Sequence, residues 1–374
     1  MLRVLLAALA LLPFQAQAQV IFSRRVYAQH GRSYQQLWMW NAADGSIKPL
    51  TDSPRDHTTP VCSRDGKRVL FVSGAQGVWS FDLATHKERP LWTTTNADSI
   101  ELVGVARGGA PLIEKEWVRD TRILSGLFAA GARATRFPGM NMLSVLSPDG
   151  ARLVRYKDNG GFTDKPEPAY VTDAATGRSQ VQIGRCGDVV WSPDSKRIAC
   201  SNGYVIAANG SARRPIAQCP SIAWSPDGKR LACVSGESAA ILDTSTWSET
   251  ERVKLPTAPN QPPADELRWS PDETKLLVGV NGQETNSGSP QSDFLMLDLT
   301  SEKWTHAGSG NNAVWLPGRN EIVYSTPRDL KALPGSSKHN VWTAHLALFD
   351  FATHKQTMLT SGVTNNEYPV VCGR

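Results

Sequence analysis

Ten residues, Trp224-Ser225-Pro226-Asp227-Gly228-Lys229-Arg230-Leu231-Ala232-Cys233, constrain the fold more than any other stretch of the chain. They read as a strand, a tight turn and a second strand. Pro presets φ at the first turn position, Asp bonds to nearby backbone, and Gly tolerates positive φ. The flanks are short and carry residues that suit a pleated, buried surface. Trp191-Ser192-Pro193-Asp194-Ser195-Lys196-Arg197-Ile198-Ala199-Cys200 is nearly a copy, 33 residues earlier. Weaker copies place Cys62, Val105, Leu146, Trp269 and Trp315 in the Trp position. The copy at Val105 keeps turn chemistry in Arg107-Gly108-Gly109-Ala110-Pro111 but loses the motif.

The steps between copies run from 33 to 46 residues, within or near the periods of propellers and solenoids. A later slot in the repeat echoes too. Phe81-Asp82-Leu83-Ala84-Thr85-His86-Lys87 matches Phe349-Asp350-Phe351-Ala352-Thr353-His354-Lys355, and Tyr170–Asp173, Ile241–Asp243 and Leu297–Leu299 fit the same place. Four strands per period predict an all-β chain, a β-propeller of four-stranded blades. The ends agree. The chain opens with three strands (Val20–Phe22, Gln36–Asn41 and Pro49–Thr51) that lack a first, and closes on Glu367–Cys372, which matches the first strand of a blade. Pairing of the C-terminal strand with the N-terminal blade is expected to close the ring. The count is then about eight blades, or seven if the stretch near Gly104 is not a blade. A solenoid would need polar caps at both ends rather than this pairing.

The 374 residues are 40% hydrophobic and 20% charged, with 30 Gly and 24 Pro spread throughout. No long stretch shows apolar residues at helical spacing, which favours many short strands. Four of the 12 Trp share one repeat position, and this suggests packing rather than ligand stacking. Residues 1–18 read as a secretory signal peptide. Arg3 supplies the positive start, Val4–Leu12 the apolar run, and Ala16-Gln17-Ala18 a small-x-small cleavage site. The apolar run is about half the length a membrane span requires. A single propeller domain over 19–374 is expected in the periplasm or outside the cell, without stable membrane insertion. The formal charge is +5, with basic residues scattered through repeat turns. That pattern argues for a solvated surface and against nucleic acid as a partner.

The Trp-Ser-Pro-Asp-Gly-Lys-Arg-Leu-Ala core, together with Asn41-Ala42-Ala43-Asp44-Gly45-Ser46 and Leu50-Thr51 ending a blade, resembles the TolB-type (WD40-like) propeller repeat. The resemblance covers most of the chain after residue 18 and is more specific for fold than for function. It implies an exported propeller used as a protein-binding scaffold in the bacterial envelope. TolB itself carries a separate α/β domain ahead of its propeller, and only a few residues lie between Ala18 and the first strand here. A chain other than TolB proper is therefore expected. Propellers of prolyl-oligopeptidase-type peptidases share the repeat and precede a large hydrolase domain; with the sequence ending at Arg374, no such domain is expected here.

Six cysteines in an exported chain invite pairing. Cys186 and Cys219 each lie five residues before a motif Trp, and Cys200 and Cys233 each lie nine after one. Each pair sits at the start of a first strand and the end of a second, which antiparallel pairing brings together. Bridges Cys186–Cys200 and Cys219–Cys233 are predicted. Cys62, on the first strand of the second blade, and Cys372, on the closing strand, are candidates for a third that fastens the ring. Buried free thiols are the alternative. No Cys-x-x-Cys pair or adjacent His points to a metal.

No nucleophile elbow, zinc-binding helix motif, phosphate loop or calcium loop is present in the sequence. Asp65, Asp149, Asp194, Asp227 and Asp272 are read as turn residues, and no catalytic, cofactor or metal residue is assigned. His86 and His354 share one repeat turn, a surface or structural position. Three irregular insertions between second and third strands draw more attention: 157–167, 281–292 and 326–340. On one face of a propeller they read as a recognition surface on a rigid scaffold, with plain surface decoration as the alternative. The candidate binding residues are Asn159, Phe162, Asp164, Asn281, Glu284, Arg328, Lys338 and His339. The expected function is a monomeric, non-enzymatic scaffold that binds a protein or glycan. The alternative is a propeller enzyme, of lactonase or polysaccharide lyase type, with a site on the channel axis.

Overall fold

The computed structural model describes residues 18–27, 33–74, 77–94, 99–119, 122–129, 142–157, 168–178, 180–256, 263–281, 292–333 and 339–372. Among these the regular secondary structure is antiparallel strand. The second sheet along the chain shows the common pattern: His57–Cys62, Arg68–Ser73, Gly77–Asp82 and Lys87–Thr93 hydrogen-bond in that order. Sheets beginning at Met142, Val189 and Ser221 repeat it with four strands each. The degenerate stretch near Gly104 also forms a sheet, with three described strands, Ser99–Val105, Pro111–Arg119 and Arg122–Ala129.

Seven strands from Pro263 to Met358 are joined because Lys303–Trp315 runs on as one 13-residue strand. Its first half pairs with Ser292–Asp298 and its second half with Glu321–Ser325. The backbone passes so close to its neighbour there that a Cβ on Gly310 would stand 2.0 Å from the Ser325 carbonyl oxygen. Only glycine fits that crossing.

The N-terminal sheet has the order Ile47–Pro49, Ser33–Asn41, Gln19–Tyr27, Asn365–Cys372. Its fourth strand comes from the other end of the chain, with Gln19 opposite Cys372 and Arg25 opposite Asn365. Cores form between sheets rather than within one. Ile21 and Leu37 of the N-terminal sheet pack with Val69, Phe71 and Phe81 of the next. On its other side Val20, Phe22 and Trp40 pack with Leu316, Val323 and Leu346 of the last. Sheets stacked face to face through alternate buried residues are how a strand with a two-residue period buries apolar surface. Among the described residues no helix is long and apolar enough to cross a membrane.

The repeated hairpin locks one sheet to the next. Trp191, Trp224 and Trp269 are nearly buried, and each indole N–H donates to a carbonyl on the preceding sheet: Val145 (3.0 Å), Val190 (3.2 Å) and Ala223 (3.0 Å). The motif arginine reaches the other way. The Nη2 atoms of Arg152, Arg197 and Arg230 donate to the carbonyls of Ser195, Gly228 and Glu273 at 2.7, 3.0 and 2.8 Å, in the turn of the following copy. Arg197 and Arg230 also lie 4.6 Å from the ring centres of Trp224 and Trp269. In the turn itself Asp227 accepts from the Ser225 hydroxyl and the Lys229 N–H. Slight burial opposes ionisation, but these hydrogen bonds win and hold its carboxyl at about 2.

Three disulfides are present: Cys62–Cys372, Cys186–Cys200 and Cys219–Cys233, with Cα separations of 5.6, 5.1 and 5.2 Å. The last two staple a first strand to the second within one sheet. Cys62–Cys372 ties the second sheet to the strand that completes the first, across 310 residues of chain.

Candidate functional site

First strands of successive sheets face a common space. Val190, Ile222, Ala223, Leu267 and Arg268 come from three of them and line one cavity of about 1050 Å³. That cavity opens at the hairpin-turn end, where Pro148, Pro193, Pro226, Pro271 and Pro317 rim it. At the opposite ends of the strands, where the insertions leave the sheets, lie two smaller and more polar clefts.

A backbone irregularity builds these clefts. First strands bulge where they approach this end: between Thr58 and Val61, between Asn311 and Val314, and opposite Ile21–Ser23 in the C-terminal strand. Thr59, Asn312 and Tyr368 adopt left-handed conformations there, with φ of 48°, 57° and 56°. Thr59 and Asn312 each lie three residues before the Trp position of their repeat, and Glu266 holds the same offset before Trp269. A bulge re-aims side chains that a regular pleat would send elsewhere. Left-handed non-glycine residues persist only where the surroundings enforce them. Glu266 is one such enforcer: its carboxylate accepts the N–H groups of Asn312 (2.8 Å) and Ala313 (3.3 Å) on the next sheet.

The first cleft, about 270 Å³, is lined by Glu266, Asn311, Asn312, Ser325, Thr326, Arg328, Glu367 and Tyr368. The second, about 400 Å³, is lined by Arg25, Tyr27, Ser33, Arg328, Asn340, Val341, Trp342, Asn365 and Glu367. Arg328 and Glu367 belong to both and form the wall between them. The guanidinium donates from Nε at 2.6 Å and lies 2.5 Å away at Nη2, both to Oε1 of Glu367, which is 8% exposed. The insertion carrying Arg328 folds into a hairpin, Asp329–Ala332 with Asn340–Thr343. The Tyr27 hydroxyl holds it by donating to the Trp342 carbonyl at 2.6 Å. Burial pushes the Tyr27 phenol above its usual range.

Behind the clefts the packing is tight. Arg24 lies 4.0 Å from the Trp38 ring centre and donates to the Asn366 side-chain oxygen at 2.7 Å; burial lowers its pKa. His57 is 1% exposed against Phe71, and burial drives its pKa down to about 4, so it is neutral at pH 7. Burial, Lys331 and Arg24 all depress His345 as well. Among the described residues, no group of three or more His, Cys, Asp or Glu stands close enough to hold a metal ion.

Of the candidate binding residues, Arg328 enters both clefts. His339 sits at the loop end of the hairpin, where its carbonyl accepts the Leu333 N–H at 2.9 Å. Asn281 ends a strand, its backbone opposite Ser292. Asn159, Phe162, Asp164, Glu284 and Lys338 lie outside the described residues. The structure adds residues that sequence reasoning passed over: Glu266, Asn312, Ser325, Trp342, Asn365, Glu367 and Tyr368. The offset of Glu266 and Asn312 from their motif Trp was a usable signal for two of them.

No known protein family matches the sequence, and no curated protein does. Solved structures do match. Over 95% of this chain and 73% of the other, it is similar to dihydro-heme d1 dehydrogenase NirN (TM-score 0.52, 13% identity). Over 88% and 57%, it is similar to a puromycin-hydrolyzing peptidase of Mycobacterium tuberculosis (TM-score 0.51, 14% identity). TolB from Acinetobacter baumannii is also among the matches (TM-score 0.41, 14% identity), over 77% of this chain; the match spans 63% of TolB's length. At such identities the likeness is one of fold, and the chain has the all-β architecture of propeller-like proteins.

Proposed function

We propose that this chain is an exported β-propeller of eight blades in a closed ring, and that it serves as a non-enzymatic binding scaffold in the cell envelope for a protein or glycan. Pairing of the two chain ends in one sheet and the core between the last and first sheets support the ring. Three disulfides fit an oxidising compartment, and residues 1–18 supply an export signal.

One observation carries the functional reading. At the end where the insertions leave the sheets, two clefts share a wall, and the carboxylates lining them are already engaged. Glu266 holds two backbone N–H groups and Glu367 holds Arg328. Both oxygens of Glu266 are taken by backbone N–H groups, and Glu367 is tied to Arg328 through Oε1, so each carboxylate positions its neighbours and orients a surface. The experiment is capture of partners from native envelope with the tagged full-length protein, read by mass spectrometry beside an Arg328→Ala, Glu367→Ala variant. A ligand recovered by the wild type and lost by the variant supports the scaffold. Turnover of a lactone or polysaccharide by the purified protein refutes it.

A further inference from the structure

The two clefts share a composition that says more about what they take. Each presents one exposed aromatic side chain: Trp342, 37% exposed, in the larger and Tyr368, 41% exposed, in the smaller. Beside Glu367, each also contains a buried neutral polar side chain. Asn365 in the larger is 6% exposed and Ser325 in the smaller 2%. Among the described residues, Oδ1 of Asn365 and Oγ of Ser325 have no hydrogen-bond partner. Native proteins rarely leave such atoms unmatched, and a bound group is one way they are satisfied.

We propose that the clefts are adjoining subsites for a neutral, hydroxyl-rich glycan, with one sugar over Trp342, the next over Tyr368, and the Arg328–Glu367 pair between them. This rests on reading the insertion-bearing end as a binding surface. Donor and acceptor chemistry selects the ligand class. An amide oxygen accepts and a hydroxyl does both, so the ligand must bring donors as well as acceptors. Sugar hydroxyls bring both. A phosphate or sulfate brings mainly acceptors, and a uronate adds a carboxylate to the sugar's hydroxyls; in the smaller cleft either anion would face the Glu266 and Glu367 carboxylates, with Arg328 already held by Glu367. A single exposed ring in a polar cleft offers an apolar face to the C–H side of a sugar while its surroundings bond the hydroxyls. A peptide partner of stable affinity wants clustered, fully desolvated apolar anchors. Among the described residues, Val341 is the one aliphatic side chain that lines either cleft.

The test uses the full-length protein with neutral cello-, malto- and chito-oligosaccharides of one to six units, oligogalacturonate as the acidic comparison, and a random peptide library. Binding is read by titration calorimetry and tryptophan fluorescence. We expect affinity for one neutral series to rise at least 10-fold from one sugar to two. Trp342→Ala is expected to cost at least 10-fold and Ser325→Ala several-fold. Tyr368→Asn, which keeps a residue that tolerates positive φ, is expected to abolish the gain from the second sugar. Melting curves of each variant confirm folding, and Trp342, on an exposed hairpin, serves as the variant least coupled to the core. Tighter binding of oligogalacturonate, or binding that ignores Trp342 and Tyr368, overturns the assignment. Peptide binding lost in Trp342→Ala overturns the glycan but keeps the binding face. No binding by any probe, with no envelope partner sensitive to Arg328 and Glu367, overturns both.

Discussion

Removing the Cys62–Cys372 bridge is expected to destabilise the protein more than removing either of the other two. In the chain-entropy description a crosslink restricts the unfolded chain in proportion to the logarithm of the loop it closes. Cys62 and Cys372 are separated by 310 residues, the other pairs by 14. The long loop is then worth about 5–6 kcal/mol and each short one about 3 kcal/mol. With the usual unfolding entropy per residue, the long-loop loss lowers the melting temperature of a chain this size by roughly 7 °C. The location adds to the effect. The bridge holds the strand Asn365–Cys372, whose pairing with Gln19–Tyr27 is, among the described residues, the strand pairing that joins the chain ends. The assay is denaturant unfolding of three double variants, Cys62→Ala/Cys372→Ala, Cys186→Ala/Cys200→Ala and Cys219→Ala/Cys233→Ala, each beside oxidised and fully reduced wild type. Alanine is chosen because Cys200, Cys219 and Cys372 are buried, and a serine hydroxyl there would need a partner. If the long-loop variant loses no more than the short-loop variants, the loop-entropy reasoning is wrong for this fold.

Three further outcomes are expected. His57 is held neutral by burial, with a pKa near 4 against 6.5 unfolded; its contribution is complete above pH 6.5 and is lost as pH falls towards 4, by about 3 kcal/mol. His57→Phe should flatten unfolding free energy between pH 7 and 4, and an unchanged slope would show that other groups cause it. Trp269→Phe removes the indole bond to the Ala223 carbonyl and should cost about 1–2 kcal/mol by denaturant midpoint, where a neutral result would mean that water replaces the donor. Gly310→Ala drives a methyl against the Ser325 carbonyl and should abolish soluble expression or cost at least about 3 kcal/mol, roughly 4 °C of melting temperature for a chain this size; a wild-type melt would mean that the long strand shifts freely.

The repeat was legible because its chemistry is local. Proline, aspartate and glycine at fixed turn positions dictate the hairpin wherever they occur, and the apolar flanks dictate strands beside it. The same periodicity put Cys186 near Cys200 and Cys219 near Cys233, since antiparallel pairing follows from the turn. Even the pairing of the ends could be expected, because a repeat that begins without its first strand and finishes with one leaves two edges to satisfy. Arg328 was visible as part of an insertion in an otherwise regular unit.

The clefts were not legible in this way. Thr59, Asn312 and Tyr368 carry no common side chain, and what they share is a left-handed backbone imposed by register shifts between strands. Glu266 acquires its role from the next sheet, 46 residues further along the chain. Glu367 meets Arg328 across 39 residues. Ser325 and Asn365 become buried and unpartnered only once the last sheet lies against the first. The sequence by itself determined the hairpin, the repeat and the strand-rich architecture, because turn chemistry and two-residue alternation act over a few neighbours. Tertiary structure alone decided which polar groups meet at the insertion-bearing end, because that depends on how successive sheets are rotated and stacked, and no local pattern encodes it.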